Sequence, residues 1–177
     1  MRRSLKTLLV VGVAGAALVT VVVVILVYYQ RYQVFVMPTA DMVPTIPKDS
    51  RILVEVVDEP RIELFRYGDI LAFRSPRDPS VLYVKRVVGI PGDQVKIVSK
   101  TFSRNGEVQE EPYVTITDQA FTTPSGRLDW LDNMDELRIP QRHVFLMGDN
   151  RDRSADSRLY GPVPVENVYG RVIQILE

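Results

Sequence analysis

The 177-residue chain contains no cysteine, and one histidine and one tryptophan. The absence of cysteine excludes disulfides, thiol nucleophiles and cysteine metal sites. With His143 alone, both a zinc centre and a Ser-His-Asp triad are poor expectations, and His143 reads as structural or solvated. Neither a metal nor a cofactor is expected. Net charge is also missing: 22 Lys and Arg balance 22 Asp and Glu. All 22 acids but only 19 of the 22 basic residues lie beyond residue 29. That part of the chain is slightly acidic and carries no footprint for nucleic acid.

What is present begins with an uncharged run of 22 residues, Leu8 to Tyr29. As a helix it would extend about 33 Å, slightly more than the roughly 30 Å of a bilayer's hydrocarbon core. Arg2, Arg3 and Lys6 precede it and no acid does, so the positive-inside bias keeps residues 1–7 in the cytoplasm. Tyr28, Tyr29 and Tyr32 suit an interfacial aromatic belt on the far side. A cleaved secretory signal would have a shorter apolar core and a small-x-small site, and Tyr28-Tyr29-Gln30-Arg31-Tyr32 supplies none. The expectation is a single-pass cell-membrane protein, with residues 8–29 spanning and residues 30–177 forming one extracytoplasmic domain.

Beyond residue 33 the pattern is β. Short β-branched runs occur at 34–36, 51–56, 70–73, 81–88, 95–98, 144–147 and 171–175. Gly- and Pro-bearing turns such as Tyr67-Gly68-Asp69, Pro91-Gly92-Asp93 and Asn105-Gly106 separate them. No segment after the span keeps a 3.6-residue apolar period over 12 residues. This pattern predicts a mainly β barrel or sandwich. Residues 99–140 are more polar and read as a loop-like inserted subdomain. Phe121 and Trp130 are its first candidates for lipid contact.

Three segments are dense in chemistry-bearing residues: 38–46, 83–93 and 147–158. In a strand, Val81, Tyr83, Lys85 and Val87 share one face, which makes Lys85 a lone amine among apolar neighbours. Desolvation there disfavours the ammonium form and suits a general base, whereas an edge-strand lysine with its head in water is the bland alternative. Arg86 points the other way, where it can pair with an acid. The third segment superficially resembles a Ca²⁺ loop. Counted from Asp149, however, Ser154 replaces the required Gly and Tyr160 the required Glu. It reads instead as a turn stapled by its own ion pairs.

In this order, behind an N-terminal span, the three segments resemble bacterial type I signal peptidases of the peptidase S26 family. Lys85-Arg86-Val-Val-Gly-Ile-Pro-Gly-Asp93 is similar to that family's lysine motif, and Gly148-Asp149-Asn150-Arg151-Asp152-x-Ser154-x-Asp156-Ser157-Arg158 to its C-terminal motif. Asn105-Gly106, Glu111-Pro112-Tyr113 and the stretch from Gly161 to Arg171 fall where the family has similar residues. The resemblance implies a serine endopeptidase of Ser/Lys dyad type on a signal-peptidase-like β domain, cleaving signal peptides from exported preproteins at the membrane. It implies that Lys85 is the general base, that Ser154 orients it, and that Thr39 assists the oxyanion hole. Arg86, Asp149, Asp156 and Arg158 would form the ion-pair framework.

One position departs from the pattern. Where the family reads Ser-Met-x-Pro-Thr, this chain reads Asp41-Met42-Val43-Pro44-Thr45. Asp41 would take the place of the nucleophilic serine. It has no hydroxyl proton to give up, and an opposite charge within about 4–6 Å of Lys85 favours the ammonium form. Three readings follow. The first is a peptide-binding pseudoenzyme, inactive or strongly impaired, with partners in export or surface-assembly machinery. The second is an active signal peptidase of altered mechanism, or a variant of an active one. The third is a tethered β domain of purely structural role.

Overall fold

The computed structural model describes residues 2–116, 122–123, 126–127 and 131–176. Phe121 and Trp130 lie outside the described residues. Helix α1, Arg2–Arg31, is followed by β1 Tyr32–Val36, β2 Arg51–Val56, β3 Ile70–Arg74, β4 Leu82–Gly89, β5 Gln94–Val98, β6 Thr101–Arg104, β7 Glu107–Val108, β8 Thr122–Thr123, β9 Gly126–Arg127, β10 Met134–Arg138 and β11 His143–Met147. Helix α2, Ser157–Tyr160, β12 Val163–Pro164 and β13 Val168–Leu176 complete the order.

Residues Val11–Arg31 of α1 are apolar and long enough to cross a membrane, and none of this stretch is buried against the rest of the chain. The helix runs directly into β1, so the first strand of the domain starts where the helix ends.

Seven strands form the main sheet in the order β1-β2-β13-β3-β4-β11-β12. Its pairings are antiparallel, and shifts in register interrupt β13 and β11. Irregular pairing of this kind bends a sheet and increases its local twist. The fold is mainly β, as the strand pattern predicted.

The apolar runs at 51–56, 70–73 and 144–147 become strands of this sheet because their alternate residues fill the core. Phe73, Leu71, Val87 and Leu146 form one fully buried cluster with Val144, Val163, Val165 and Val168. Met42, Ile46, Ile52, Val54, Ala72 and Val84 form a second on the other side. The polarity of residues 99–140 conceals strands. β6, β7 and β10 join β5 in a four-stranded sheet of order β10-β5-β6-β7. Met134-Asp-Glu-Leu-Arg138 buries none of its side chains fully, which is why its apolar content is too low to announce a strand. The Asn105-Gly106 turn joins β6 to β7 with both residues at positive φ, 55° and 83°. That is the two-residue hairpin geometry for which Asn-Gly is the favoured pair.

Candidate active site

The site sits where the loop after β1 meets the middle of β4 and the loop after β11. Met42 and Ile46 are fully buried and plug the loop into the second cluster. The Met37 N–H donates to Ser50 O (2.9 Å) and the Asp49 N–H to Met37 O (2.7 Å), which closes the loop at its base. Asp41, adjacent to the Met42 plug, is held against β4.

Lys85 is wholly buried and directly opposite Leu71 of β3. Its Nζ lies 5.3 Å from the centre of the Tyr83 ring. Nζ donates to Asp41 Oδ2 and, at 3.1 Å, to the Val84 carbonyl. Thr39 Oγ1 donates to the other carboxylate oxygen, Asp41 Oδ1, at 2.5 Å. Both oxygens of Asp41 are therefore engaged, and its side chain is only 11% exposed. Thr39, Asp41 and Lys85, distant in sequence, form one chain of hydrogen bonds.

Arg86 faces the opposite side of β4, as alternation requires. Its Nε and Nη2 donate to Asp149 Oδ1 and Oδ2 at 2.8 and 2.6 Å, a bidentate pair. Thr45 Oγ1 also donates to Asp149, and the guanidinium stacks 4.0 Å from the Tyr113 ring centre. Arg158 makes a second bidentate pair with Asp156, at 2.9 Å through Nε and 2.9 Å through Nη2, and donates to the Leu131 and Arg151 carbonyls. Burial alone would raise the Asp156 carboxyl. The Arg158 guanidinium and the Gly148 N–H outweigh burial and hold it below the ordinary carboxylate range.

The 147–158 segment is stapled, but mostly to other elements. Asp156–Arg158 is an internal pair of the expected kind. Asp149 reaches β4, and Arg151 donates bidentately to Glu111 at 2.5 and 2.6 Å. Asp152 accepts from Lys100 at 2.8 Å. A buried acid takes the partner that the packing brings, and here packing brings residues from across the sheets. Glu111 was visible only as part of a Glu-Pro-Tyr stretch. No spacing connects it to Arg151.

Two residues that carried no role in the sequence join the loops. Asn150 donates from its backbone N–H to Asp41 O and from Nδ2 to Ala40 O, both at 3.0 Å. Gly148 lets the two loops touch: a Cβ there would lie 2.3 Å from Ser154 Oγ and 2.6 Å from Asp41 O. Ser154 thus lies beside the Asp41 backbone, and its buried Oγ has no hydrogen-bond partner of normal geometry. Lys85 directs its donors to Asp41 and Val84 instead. The Tyr160 hydroxyl is likewise buried without a partner, and burial, reinforced by the Asp156 and Asp41 charges, pushes it upward. His143, the first residue of β11, has its Nδ1 2.8 Å from Gln141 O. Among the described residues no group of three His, Asp or Glu side chains is arranged to hold a metal ion.

A mainly β domain lies behind an apolar helix, and a buried carboxylate–lysine contact joins the loop after β1 to β4 beside an ion-paired loop. The family model "Signal peptidase, peptidase S26" matches residues 9–176. The chain belongs to this family. It is 32% identical to signal peptidase I of Pseudomonas fluorescens over 179 residues, covering 80% of this chain and 63% of that protein. It is 29% identical to the probable signal peptidase I-1 of Synechocystis, covering 77% and 67%. A crystal structure of a signal peptidase I from Enterococcus faecalis matches with a TM-score of 0.48 and 33% identity, covering 62% of this chain and 97% of that one. The chain thus spans just under two thirds of the Pseudomonas relative's length.

Proposed function

We propose that this chain is a membrane-anchored signal peptidase homologue that receives the signal peptides of exported preproteins and does not cleave them at a normal rate. The observation that carries this reading is the engagement of Asp41, at the position the family resemblance gives to the nucleophile, by Lys85 and Thr39 together. Peptide hydrolysis by a serine–lysine dyad needs a hydroxyl that can attack and an amine with a free lone pair to take its proton. Asp41 offers no such proton. Lys85 is committed as a donor to a carboxylate, so the base is disarmed by the same substitution that removes the nucleophile. Thr39, which would assist the oxyanion, donates to the carboxylate instead. A residual enhancement of roughly 10³–10⁴-fold over water is the scale left when nucleophile and base are lost but binding persists.

Peptide docking does not depend on that chemistry. β1 is the edge of the main sheet, it ends three residues before Thr39, and its side chains Val34 and Val36 are exposed. An extended peptide can add to such an edge through main-chain hydrogen bonds, with small pockets reading its side chains. Arg2, Arg3 and Lys6 ahead of the span orient the domain outward, where exported proteins emerge and where export or surface-assembly machinery would be the partner.

The test compares the chain as it stands with Asp41→Ser, both purified in detergent and incubated with a preprotein. Cleavage only by Asp41→Ser, with signal-peptide binding by both, is the expected result. Equal cleavage by both rejects the reading in favour of an active enzyme of altered mechanism. Failure of both to bind the peptide leaves only a structural role.

A further inference from the structure

We propose that Glu55 is a latch that fixes the angle between the apolar helix and the domain, and with it the height of the Asp41 site above the membrane surface. The hinge is the step from Arg31 to Tyr32, where α1 passes into β1 with no residue between them. Packing does not set the angle there. None of Val11–Arg31 is buried against the rest of the chain. A cavity of about 720 Å³ opens between the end of α1, β2 and the turn at residues 62–65, with Val27, Arg31, Glu55 and Leu64 among its walls. The helix therefore has room to swing toward the sheet or away from it.

What crosses this gap is charge. Among the described residues, Arg31 is the one residue of α1 whose side chain hydrogen-bonds beyond the helix. Its Nε and Nη2 donate to Glu55 Oε1 at 3.1 and 2.7 Å. In the sheet, Glu55 of β2 stands in register between Tyr32 of β1 and Arg171 of β13. Its second oxygen lies 3.7 Å from Arg171 Nη2, and Arg171 Nη1 lies 3.6 Å from Asp69, just ahead of β3. Asp69 is itself held by the Arg66 N–H at 2.8 Å. Arg31, Glu55, Arg171 and Asp69 thus alternate in sign from the end of the helix across the sheet. An isolated exposed ion pair stabilises little. Here the carboxylate is shared by two guanidiniums, and the Glu55 side chain is only 20% exposed. The pair also has a smaller task than holding a fold together, because it selects one helix angle among others that no packing favours. The Arg31 guanidinium lies 5.9 Å from the centre of the Tyr32 ring, which keeps it over the hinge. β1 and the loop carrying Asp41 follow that hinge directly, so a fixed angle gives the site a fixed height.

The experiment exploits the absence of cysteine. Leu18→Cys on α1 and Val98→Cys on β5, both exposed, place two spin labels on the full chain in lipid nanodiscs. Double electron–electron resonance then reads the distance between them. The doubly labelled chain should give one narrow distribution. Glu55→Thr and Arg31→Gln should each broaden it. Arg31→Gln, at a side chain 61% exposed, keeps the test readable if Glu55→Thr folds poorly. Arg61→Gln breaks an exposed pair with Glu59 outside the ladder and should leave the distribution unchanged. Distributions in Glu55→Thr and Arg31→Gln as narrow as that of the starting chain overturn the proposal. So does a starting chain that is already broad, or a broadening by Arg61→Gln equal to that by Arg31→Gln. None of these measurements depends on peptide binding or cleavage.

Discussion

Replacing Asp41 with alanine should destabilise the domain far more than a typical loss of one contact, because of what it leaves behind. Lys85 is wholly buried, and without Asp41 its remaining bond is to one carbonyl, Val84 O. Breaking a buried ion pair by removing one partner costs about 3–5 kcal/mol, since the other charge stays uncompensated. Lys85→Met removes the other half and fills a similar volume. It leaves Asp41 with its Thr39 bond and an 11% exposed side chain, so its cost should fall toward the lower end of that range. The double replacement leaves no orphan charge. Exchange of a buried pair for apolar residues of similar volume is often neutral or stabilising. The three variants therefore form a cycle whose coupling is several kcal/mol, well above the roughly 0.3–0.5 kcal/mol scatter of independent sites.

For a chain of this length, about 1 kcal/mol corresponds to roughly 2–4 °C in Tm. Each single variant should therefore unfold roughly 6–20 °C below the parent, and the double variant close to it. The assay is thermal unfolding of the full chain in detergent, followed by circular dichroism in the region dominated by strands. Additive effects, or single variants within about 2 °C of the parent, would refute the reasoning. Either result would mean that the amine and carboxylate are hydrated and independent in solution. The proposed disarming of Lys85 would then lose its basis.

Two further substitutions probe the surroundings. Gly148→Ala places a methyl group against Ser154 and the Asp41 carbonyl, and the backbone member of that contact cannot move aside. Overpacking should cost about 1–3 kcal/mol and, in the Asp41→Ser background, should abolish any restored cleavage, as measured by unfolding and preprotein assays. Burial and the Glu111 charge push the Tyr113 hydroxyl up to about 12. Because its folded value lies above the unfolded one of about 10, its stabilising contribution is complete below that pH and is lost as pH rises through about 12. Tyr113→Phe should make alkaline unfolding in that window shallower, and an unchanged slope would show that the hydroxyl ionises freely.

Much of the fold was legible because the main sheet is built from runs whose alternate residues are fully apolar. Arg51–Val56 and Ile70–Phe73 are short, largely apolar runs flanked by turn residues, and both form strands as read. β6, β7 and β10 were hidden because Thr101-Phe-Ser-Arg104, Glu107-Val108 and Met134-Asp-Glu-Leu-Arg138 carry a single fully buried side chain among them, Phe102. In the site, strand alternation alone places Lys85 and Arg86 on opposite faces. It could not name the acid that each would meet, because Asp41 and Asp149 come from separate loops. The Arg151–Glu111 pair and the Asn150 bridge were equally invisible, since both depend on which loops the sheet brings together. The cavity at the end of α1 is the extreme case: Val27 and Arg171 line it together only because β13 is the third strand in the sheet, counted from the helix-linked edge β1.

The framework around Asp41 explains how chemistry and docking can be separated. Ion pairs hold the 148–158 loop, among them Asp149 to Arg86, Arg151 to Glu111, Asp152 to Lys100, and Asp156 to Arg158. Desolvation makes such pairs weak contributors to stability, so their effect is best sought in geometry. None of them includes Asp41 or Lys85. The loop carrying Asp41 is fixed in turn by Asn150, which bonds the main-chain carbonyls of residues 40 and 41, and by the buried Met42 and Ile46. Main-chain carbonyls are the same whether residue 41 bears a carboxylate or a hydroxyl. The position of residue 41 is therefore set independently of its side chain. On that basis an exchange there alters the reacting groups while the edge of β1 and the surrounding loops keep their places.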